Sequence, residues 1–386
     1  NTSNVPSGIY PDPYTYRSKK IVNSLYGFAT IGWEDKYFLD ITGRNDWSST
    51  LAKDNWSYFY PSISASVLLD KVFDFTTNLP EITYAKLRLS WANVGNDTSP
   101  YQLDQYYSAS SISGGYTLPS TIMNPMIKPE NVESWEVGLE TKFLQNRLGF
   151  DITFYNSSTT NQIVAVDVDP IVGASAMKIN AGEISNKGIE LAINATPVKT
   201  KDWTWNINAN WSTNKNKLVS LQDGWDPTQP LETDMGTTIG GRLHVYSYVG
   251  EEMNKLYGFG LKRAPEGSYY VDANGNNVDC SGQVLIDAST GLPSLTSSAD
   301  VCLGNVNPDW KGGLNTSIRY KRITLNMAFT YQWGGHRFSV TNGILSYQGK
   351  LKNSLDGRYD GKVAEGVNVI STNEDGSYVC AQNNTI

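Results

Sequence analysis

Few side chains in this sequence could do chemistry: two histidines, His244 and His336, three cysteines, Cys280, Cys302 and Cys380, and scattered carboxylates among 386 residues. His336 ends an alternating run at Trp333-Gly334-Gly335 and His244 lies in a loop, so both read as surface or lumen residues. No CxxC or HExxH spacing offers a zinc site, and there is no GxSxG elbow, P-loop or Gly-rich dinucleotide turn. Glu251-Glu252, or Glu136 with Glu140, are the nearest approach to a glycosidase pair. Residues four apart on a strand lie about 13 Å from each other, too far for that reaction. No enzyme is expected. Cys280 and Cys302 flank a Gly/Ser/Asp-rich stretch and are candidates for a loop disulfide in an oxidising compartment; two unpaired thiols are the alternative, and Cys380 is left over. The run from Asp272 to Asp279 has the oxygen density of a calcium loop, with Asp272, Asn274 and Asn276 as ligands. Its glycine sits at position four and no Glu falls at position twelve, so a plain Asn-Gly turn competes with that reading.

Binding is better supplied than catalysis. Tyr101, Tyr106, Tyr107 and Tyr116 crowd one long loop, and Trp225, Tyr246, Tyr248, Tyr257, Phe259, Tyr269 and Tyr270 another. Rings stack on the apolar faces of sugars while Asn, Asp and Gln serve hydroxyls, which suits an oligosaccharide. An oligopeptide would use the same groups, and rings that merely pack loops together would look no different.

The elements that must carry these loops are strands. No run of about 18 apolar residues provides a spanning helix. The sequence opens Asn1-Thr2-Ser3 without a basic and then apolar leader, and so reads as a mature or truncated end. A net charge of −7, with 31 Lys and Arg scattered rather than striped, argues against nucleic acid. The dominant signal is period two. From 135 to 143 one face reads Trp135, Val137, Leu139, Thr141, Phe143 and the other Glu136, Gly138, Glu140, Lys142; the run 148–155 repeats the pattern across Gln145-Asn146, predicting a hairpin. Further pairs are 25–33 with 37–47, 62–69 with 86–94, 188–195 with 203–213, and 312–320 with 323–333.

Turns within pairs are short, whereas links between pairs are long: 48–61, 95–134, 158–187 and about 214–311. One-sided loop growth with strands of about ten residues is the pattern of an antiparallel transmembrane β-barrel in a bacterial outer membrane, its apolar face toward lipid. Trp33 and Tyr37 near a short turn, and Trp47, Trp211 and Trp333 near long loops, fit two aromatic girdles. A soluble sandwich or secreted lectin or adhesin would show the same alternation with its apolar face inward. Ten strands alone do not show how such a barrel closes.

Several motifs fall in a familiar order. Gly43-Arg44-Asn45-Asp46-Trp47-Ser48-Ser49-Thr50-Leu51 precedes Tyr58-Phe59-Tyr60-Pro61-Ser62, then Lys86-Leu87-Arg88-Leu89-Ser90-Trp91 with Gly95-Asn96. Ile127-Lys128-Pro129-Glu130 leads to Glu136-Val137-Gly138, and Asn180-Ala181-Gly182 to Asn186-Lys187-Gly188-Ile189-Glu190. Gly304-Asn305, Asn307-Pro308-Asp309-Trp310, Gly312-Gly313 and Gly334-Gly335 complete the set. Together they resemble the SusC/RagA family of TonB-dependent outer-membrane transporters of Bacteroidetes. The resemblance implies an all-β, 22-stranded barrel with a plug, energised by TonB and capped by a SusD-like lipoprotein. Residues 1–386 would be a central and later part of that barrel, with the plug and the closing strands absent. It implies import of an oligosaccharide, or alternatively of oligopeptides, without a cofactor. Glu136, Glu140, Arg147, Asp151 and Arg319 are then expected to face the lumen and hold the plug.

Overall fold

The computed structural model describes residues 17–109, 115–222, 224–233 and 243–385; the opening Asn1-Thr2-Ser3 lies outside the described residues. Its largest element is a ten-stranded sheet whose strands follow one another in chain order. They are β1 (Val22–Trp33), β2 (Tyr37–Ser48), β3 (Ser57–Leu68), β4 (Ile82–Asn96), β5 (Glu130–Phe143), β6 (Leu148–Thr160), β7 (Glu183–Lys199), β8 (Trp203–Ser220), β9 (Pro308–Tyr320) and β10 (Ile323–Gly334). From β1 to β7 each strand pairs antiparallel with the next. All five expected hairpins are present, and the strands are longer than their apolar runs. β8 continues to Ser220 because the polar segment Thr213–Ser220 keeps alternating, so the largest connection is 221–307 rather than 214–311. Likewise β3 starts at Ser57, which shortens the link after β2.

The turns carry the strain that tight reversals need. Glu34 and Asp35 at the β1–β2 turn, and Leu144, Gln145 and Asn146 at the β5–β6 turn, all have positive φ. The β3–β4 connection holds two four-residue helices, Leu69–Val72 and Phe75–Asn78, which sequence periodicity did not announce. Pro61 lies inside β3, where it lacks an N–H for the ladder. The sheet accommodates it at an edge of pairing: Pro61 pairs Gly43 of β2, while the register with β4 begins only at Ser62 opposite Ala92.

The chain divides into two compact units, the first reaching residue 210 and adding 219–224 and 315–327, the second comprising 211–218, 225–314 and 328 onward. In the first unit the register lines apolar residues into continuous rows across the sheet. One row runs Ile31, Leu39, Ala65, Leu89, Val137, Phe154, Ile189, and the next Val67, Leu87, Leu139, Ile152, Leu191. These rows are not a protein core. Ile31 is 56% exposed, Leu89 48% and Phe154 48%, whereas buried apolar residues such as Ile127, Val245, Leu285 and Val367 lie outside the ten strands. An apolar face this wide needs a hydrocarbon solvent, which removes the soluble lectin reading. Rings cluster toward strand ends: Trp33 with Tyr37 at 5.6 Å, Trp91 with Trp135 at 6.1 Å, and Trp203 with Tyr320 at 4.4 Å.

The second unit carries Trp310 against Tyr331 (5.6 Å) and Trp333 (6.2 Å), and two small four-stranded sheets. One orders Leu231–Thr233, Leu243–Ser247, Lys255–Gly258 and Val301–Asn305; the other Asn277–Asp279, Tyr269–Val271, Tyr378–Gln382 and Val367–Thr372. Short Asp turns recur here. Asp272 accepts the N–H groups of Asn274 and Asn276, both at 2.8 Å, Asp279 that of Ser281 at 2.9 Å, Asp287 that of Ser289 at 2.8 Å, and Asp375 that of Ser377 at 2.9 Å. The backbone donor of Asn276 holds the Asp272 carboxyl below the usual range, and the serine hydroxyl and N–H donors do the same for Asp279, Asp287 and Asp375.

The two faces of the sheet should respond differently to charge. Ile152→Arg or Leu191→Arg puts a charge on the apolar rows and should destabilise the folded barrel by about 2–4 kcal/mol in denaturant titrations in lipid vesicles. Asp151→Asn on the opposite face removes only a half-exposed ion pair and should cost at most about 1 kcal/mol; equal costs from the two faces would reverse the orientation. The turn carboxylates contribute stability above their unfolded value of about 4, and that stability is lost as pH falls through their lower folded values. Amide exchange over 262–296 should therefore lose protection on acidification from about pH 6 to about pH 3, after correction for intrinsic rates; unchanged protection would show that these turns do not hold the unit together.

Candidate functional site

The polar face of the large sheet is a network rather than a row of separate charges. Lys86, Glu140 and Asp151 are aligned across β4, β5 and β6. Arg88 Nη2 donates to Asp151 Oδ1 at 2.6 Å, Arg88 Nη1 lies 3.5 Å from Glu140 Oε2, and Lys142 Nζ lies 3.1 Å from Glu140 Oε1. Gly138, opposite Arg88 in the register, makes this possible: a Cβ there would stand 2.8 Å from the guanidinium. Tyr84, Glu140, Lys142, Asn146, Asp151 and Asn194 line an open cleft of about 610 Å³. Glu136 lines a second one beside it with Asp40, Ser64, Lys86 and Arg88, of about 270 Å³.

Four of the five expected lumen residues thus lie on this face, since Arg319 donates to Thr204 Oγ1 at 3.0 Å on the polar side of β8 and β9. Arg147 does not join the network. Its guanidinium donates to the carbonyls of Thr196 (3.3 Å) and Pro197 (2.9 Å), so it ties the β5–β6 turn to the neighbouring strand. The residues missed were the cations Lys86 and Arg88, which the same period-two reading of 86–94 places opposite the acids, whereas Lys142 belongs to the polar face that the alternation of 135–143 marks. The Gly43–Leu51 motif also gains a physical account. Arg44 Nε donates to Asp46 Oδ1 at 2.8 Å, Tyr60 donates its hydroxyl to Asp46 Oδ2, and Ser48 and Thr50 turn their hydroxyls to Asp97, which also pairs with Lys20. Motif residues far apart in sequence meet to fix the start of two connections.

Among the loop aromatics, the structure assembles three. Tyr246, Tyr248 and Tyr257 lie with ring centres 5.4–6.3 Å apart, and His244 stacks on Tyr246 at 5.2 Å. They share one face of the sheet that begins at Leu231. Val245, Ser247, Leu256 and Gly258 alternate with them and are buried, while the rings and Lys255 stay half-exposed. Glu232 Oε1 lies 2.6 Å from His244 Nδ1, and Lys255 pairs with Glu251 at 2.7 Å. Burial raises the phenol of each tyrosine above its ordinary value, with the Glu232 charge adding at Tyr246 and the Glu251 charge at Tyr248. The phenols therefore stay neutral donors.

The other expected ligand residues are placed elsewhere. Tyr269 and Tyr270 belong to the second small sheet, where Tyr270 accepts from Gln382 Nε2 at 3.0 Å. Trp225 donates its indole N–H to the carbonyl of Gln229 at 3.0 Å and closes a turn. Tyr106, Tyr107 and Tyr116 stand exposed in the 97–129 connection, Tyr106 donating to Asp104 at 3.2 Å.

The expected Cys280–Cys302 pair is corrected. Cys302 is exposed, opposite Tyr257 on the tyrosine sheet, whereas Cys280 is buried with Ala264, Leu285, Val367 and Cys380. Flanking a polar stretch in sequence did not bring the two together, because the strands they adjoin belong to different sheets. At the candidate calcium loop, Asp272 Oδ1 is spent on the two N–H donors of its turn, Gly275 takes φ +83°, and Asp272 N–H bonds Asn276 O at 3.0 Å. This is the hydrogen-bonding geometry of an Asn-Gly turn.

Comparison with known proteins agrees with this architecture. The model of the family described as TonB dependent receptor-like, beta-barrel, matches residues 1–379. TonB-dependent receptor P3 of Formosa agariphila is 27% identical over 338 residues, covering 85% of this chain and 33% of its own length. TonB-dependent receptor SusC of Bacteroides thetaiotaomicron is 27% identical over 324 residues, covering 79% and 32%. The chain spans about a third of the length of the curated relatives it matches. Among solved structures, the RagAB peptide transporter superposes with a TM-score of 0.63 at 21% identity, over 81% of this chain and 33% of that one, a likeness of fold. Because the family match runs through nearly the whole sequence, the chain belongs to the TonB-dependent receptors, as part of the β-barrel of these non-enzymatic outer-membrane proteins.

Proposed function

We propose that this chain is wall and outer loops of a SusC-like importer that carries an oligosaccharide across the outer membrane, driven by TonB and working with a SusD-like lipoprotein. The observation that carries the cargo reading is the half-exposed group of His244, Tyr246, Tyr248 and Tyr257 on a strand scaffold. Neutral phenols offer ring faces to the C–H faces of a sugar, while their hydroxyls, Glu232 and Lys255 meet its hydroxyl groups. No covalent step is required. The polar network of Glu136, Glu140, Asp151 and Arg319 with Arg88 and Lys142 faces the lumen, where it holds the plug by charged and hydrogen-bonded contacts. One structural neighbour, RagAB, is a peptide transporter, and an oligopeptide is accordingly the second reading.

Cargo is tested on the full-length receptor co-purified with its lipoprotein, by calorimetry against oligosaccharide and oligopeptide fractions. Tyr246→Ala and Tyr257→Ala should each weaken oligosaccharide binding about tenfold, equivalent to about 1.4 kcal/mol, with Tyr246→Phe retaining most of it. Heat from peptides alone would select the second reading, and unaltered affinity in both alanine variants would remove the tyrosine face from the site.

The plug contacts are tested by passive leak of small antibiotics into cells. Alanine at Glu140, Asp151 or Arg319 should raise it; Arg147→Ala, whose guanidinium serves a turn, should leave it unchanged. Equal leak from all four would count against a lumen role for the network.

A further inference from the structure

Cys280 and Cys380 are a hundred positions apart in sequence yet share one small core. Both are buried, at 1% and 2% exposure, among Ala264, Leu285 and Val367, with Tyr270 and Tyr378 packed against the group. The backbone brings them there from both sides of the strand Tyr269–Val271. Cys280 follows the neighbouring strand Asn277–Asp279 and donates its N–H to the carbonyl of Ser268 at 2.9 Å. Cys380 lies in the strand on the other side, opposite Tyr270, and the preceding Tyr378 donates its N–H to Ser268 Oγ at 3.0 Å. Ser268 is itself buried, at 1% exposure, so one residue ties the two cysteine-bearing segments together.

From this shared core we propose that Cys280 and Cys380 form a disulfide in the mature protein, cross-linking the connection after β8 to the segment that follows β10.

The family's outer-membrane location places the second unit in an oxidising environment, where such bonds persist. The step is an exchange: the two thiols give up two protons and two electrons, an S–S bond forms between them, and a disulfide-bearing oxidant is reduced to two thiols. Burial, and then the adjoining Cys280 thiol, push the Cys380 thiol up to about 12, so in the packed state little thiolate is present to attack an oxidant's disulfide, and once the bond is made the same burial keeps external thiolates from its sulfurs. The bond therefore forms while the unit is assembling and resists reduction afterwards. The bond would span β9 and β10, so it ties a long loop across a spanning hairpin, the arrangement in which closing the chain removes most freedom from the unfolded state. Cys302 is exposed on the other sheet and remains a thiol.

The test is peptide mapping of the intact receptor, extracted from outer membranes without reductant, alkylated in denaturant and digested. The expected result is a peptide containing Cys280 joined to one containing Cys380, with Cys302 alkylated, and release of the pair after reduction. Alkylation of both Cys280 and Cys380 before reduction, or a link from either to Cys302 or to another chain, would overturn the proposal. As a second readout, dithiothreitol should leave the pair linked under native conditions and open it only with denaturant; opening at the rate of an exposed disulfide would contradict the buried placement. Cys302→Ser, outside this core, should leave the joined peptide in place.

Discussion

Hydrocarbon offers no partner to an N–H or a C=O, and that constraint orders the rest of this chain. It requires strands long enough to cross, each satisfied by its neighbours along its whole length, and the simplest solution is a meander in which every strand pairs with the next. The observed order from β1 to β10 is that solution. The one residue in these strands that most threatens the ladder, Pro61, sits where β3 has lost its pairing to β4 and no donor is missed. The outer strands show the same demand from the other side. β1 is exposed along all twelve residues, and an open edge of that length is stable in lipid only when further strands pair with it.

Because side chains alternate across a strand, the same register that solves the backbone problem also sorts the two faces. Ile152 pairs with Leu191 and Leu139 toward lipid, and one residue earlier Asp151 meets Arg88 on the opposite side. A slip of one residue would put Arg88, Glu140 and Asp151 into hydrocarbon, so register is fixed from both faces at once. Gly138 belongs to this logic. It leaves a strand position bare so that a guanidinium can lie across it, and only there can one cation serve acids on two adjacent strands.

The large sheet was legible because alternation in 135–143 and 148–155 is strong and the intervening Gln145-Asn146 admits positive φ. Strand ends were not, since the tail of β8 is polar from Thr213 to Lys217 and Leu218 and Val219 are adjacent, so no apolar alternation marks it. Nor were the short helices: Leu69–Val72 and Phe75–Asn78 have four residues each, and Val340–Tyr347, capped by Ser339, barely two turns, so no 3.6-residue period accumulates. In the candidate site the alternation of 135–143 marked the acids and Lys142, whereas Lys86 and Arg88 were overlooked, although the same parity puts them on that face. The cysteines failed for a different reason. Cys280 and Cys380 meet through strand pairing between segments a hundred residues apart, and no local spacing encodes that.

The division among the aromatics is instructive about where recognition is built. Tyr106, Tyr107 and Tyr116 are 57–75% exposed, so a ligand that ordered them would cost their rotamer freedom on binding. Tyr246, Tyr248 and Tyr257 repeat in miniature the device of the large sheet. Val245 and Leu256, exposed 2% and 4%, anchor one side of their strands, and that anchoring turns the rings to the other. Ring contacts at 5.2–6.3 Å, the His244–Tyr246 pair stacked and the tyrosine pairs tilted or edge-on, then limit each ring further, with His244 held by Glu232 at the end of the group. The ordering has been done in folding, leaving a fixed array of ring faces and phenol donors, which is what the proposed capture of a sugar would draw on. The tyrosines of the 97–129 connection have equal chemistry, but Tyr106 and Tyr107 lie outside any strand and Tyr116 sits in a strand of two residues, so less of their ordering is done in folding.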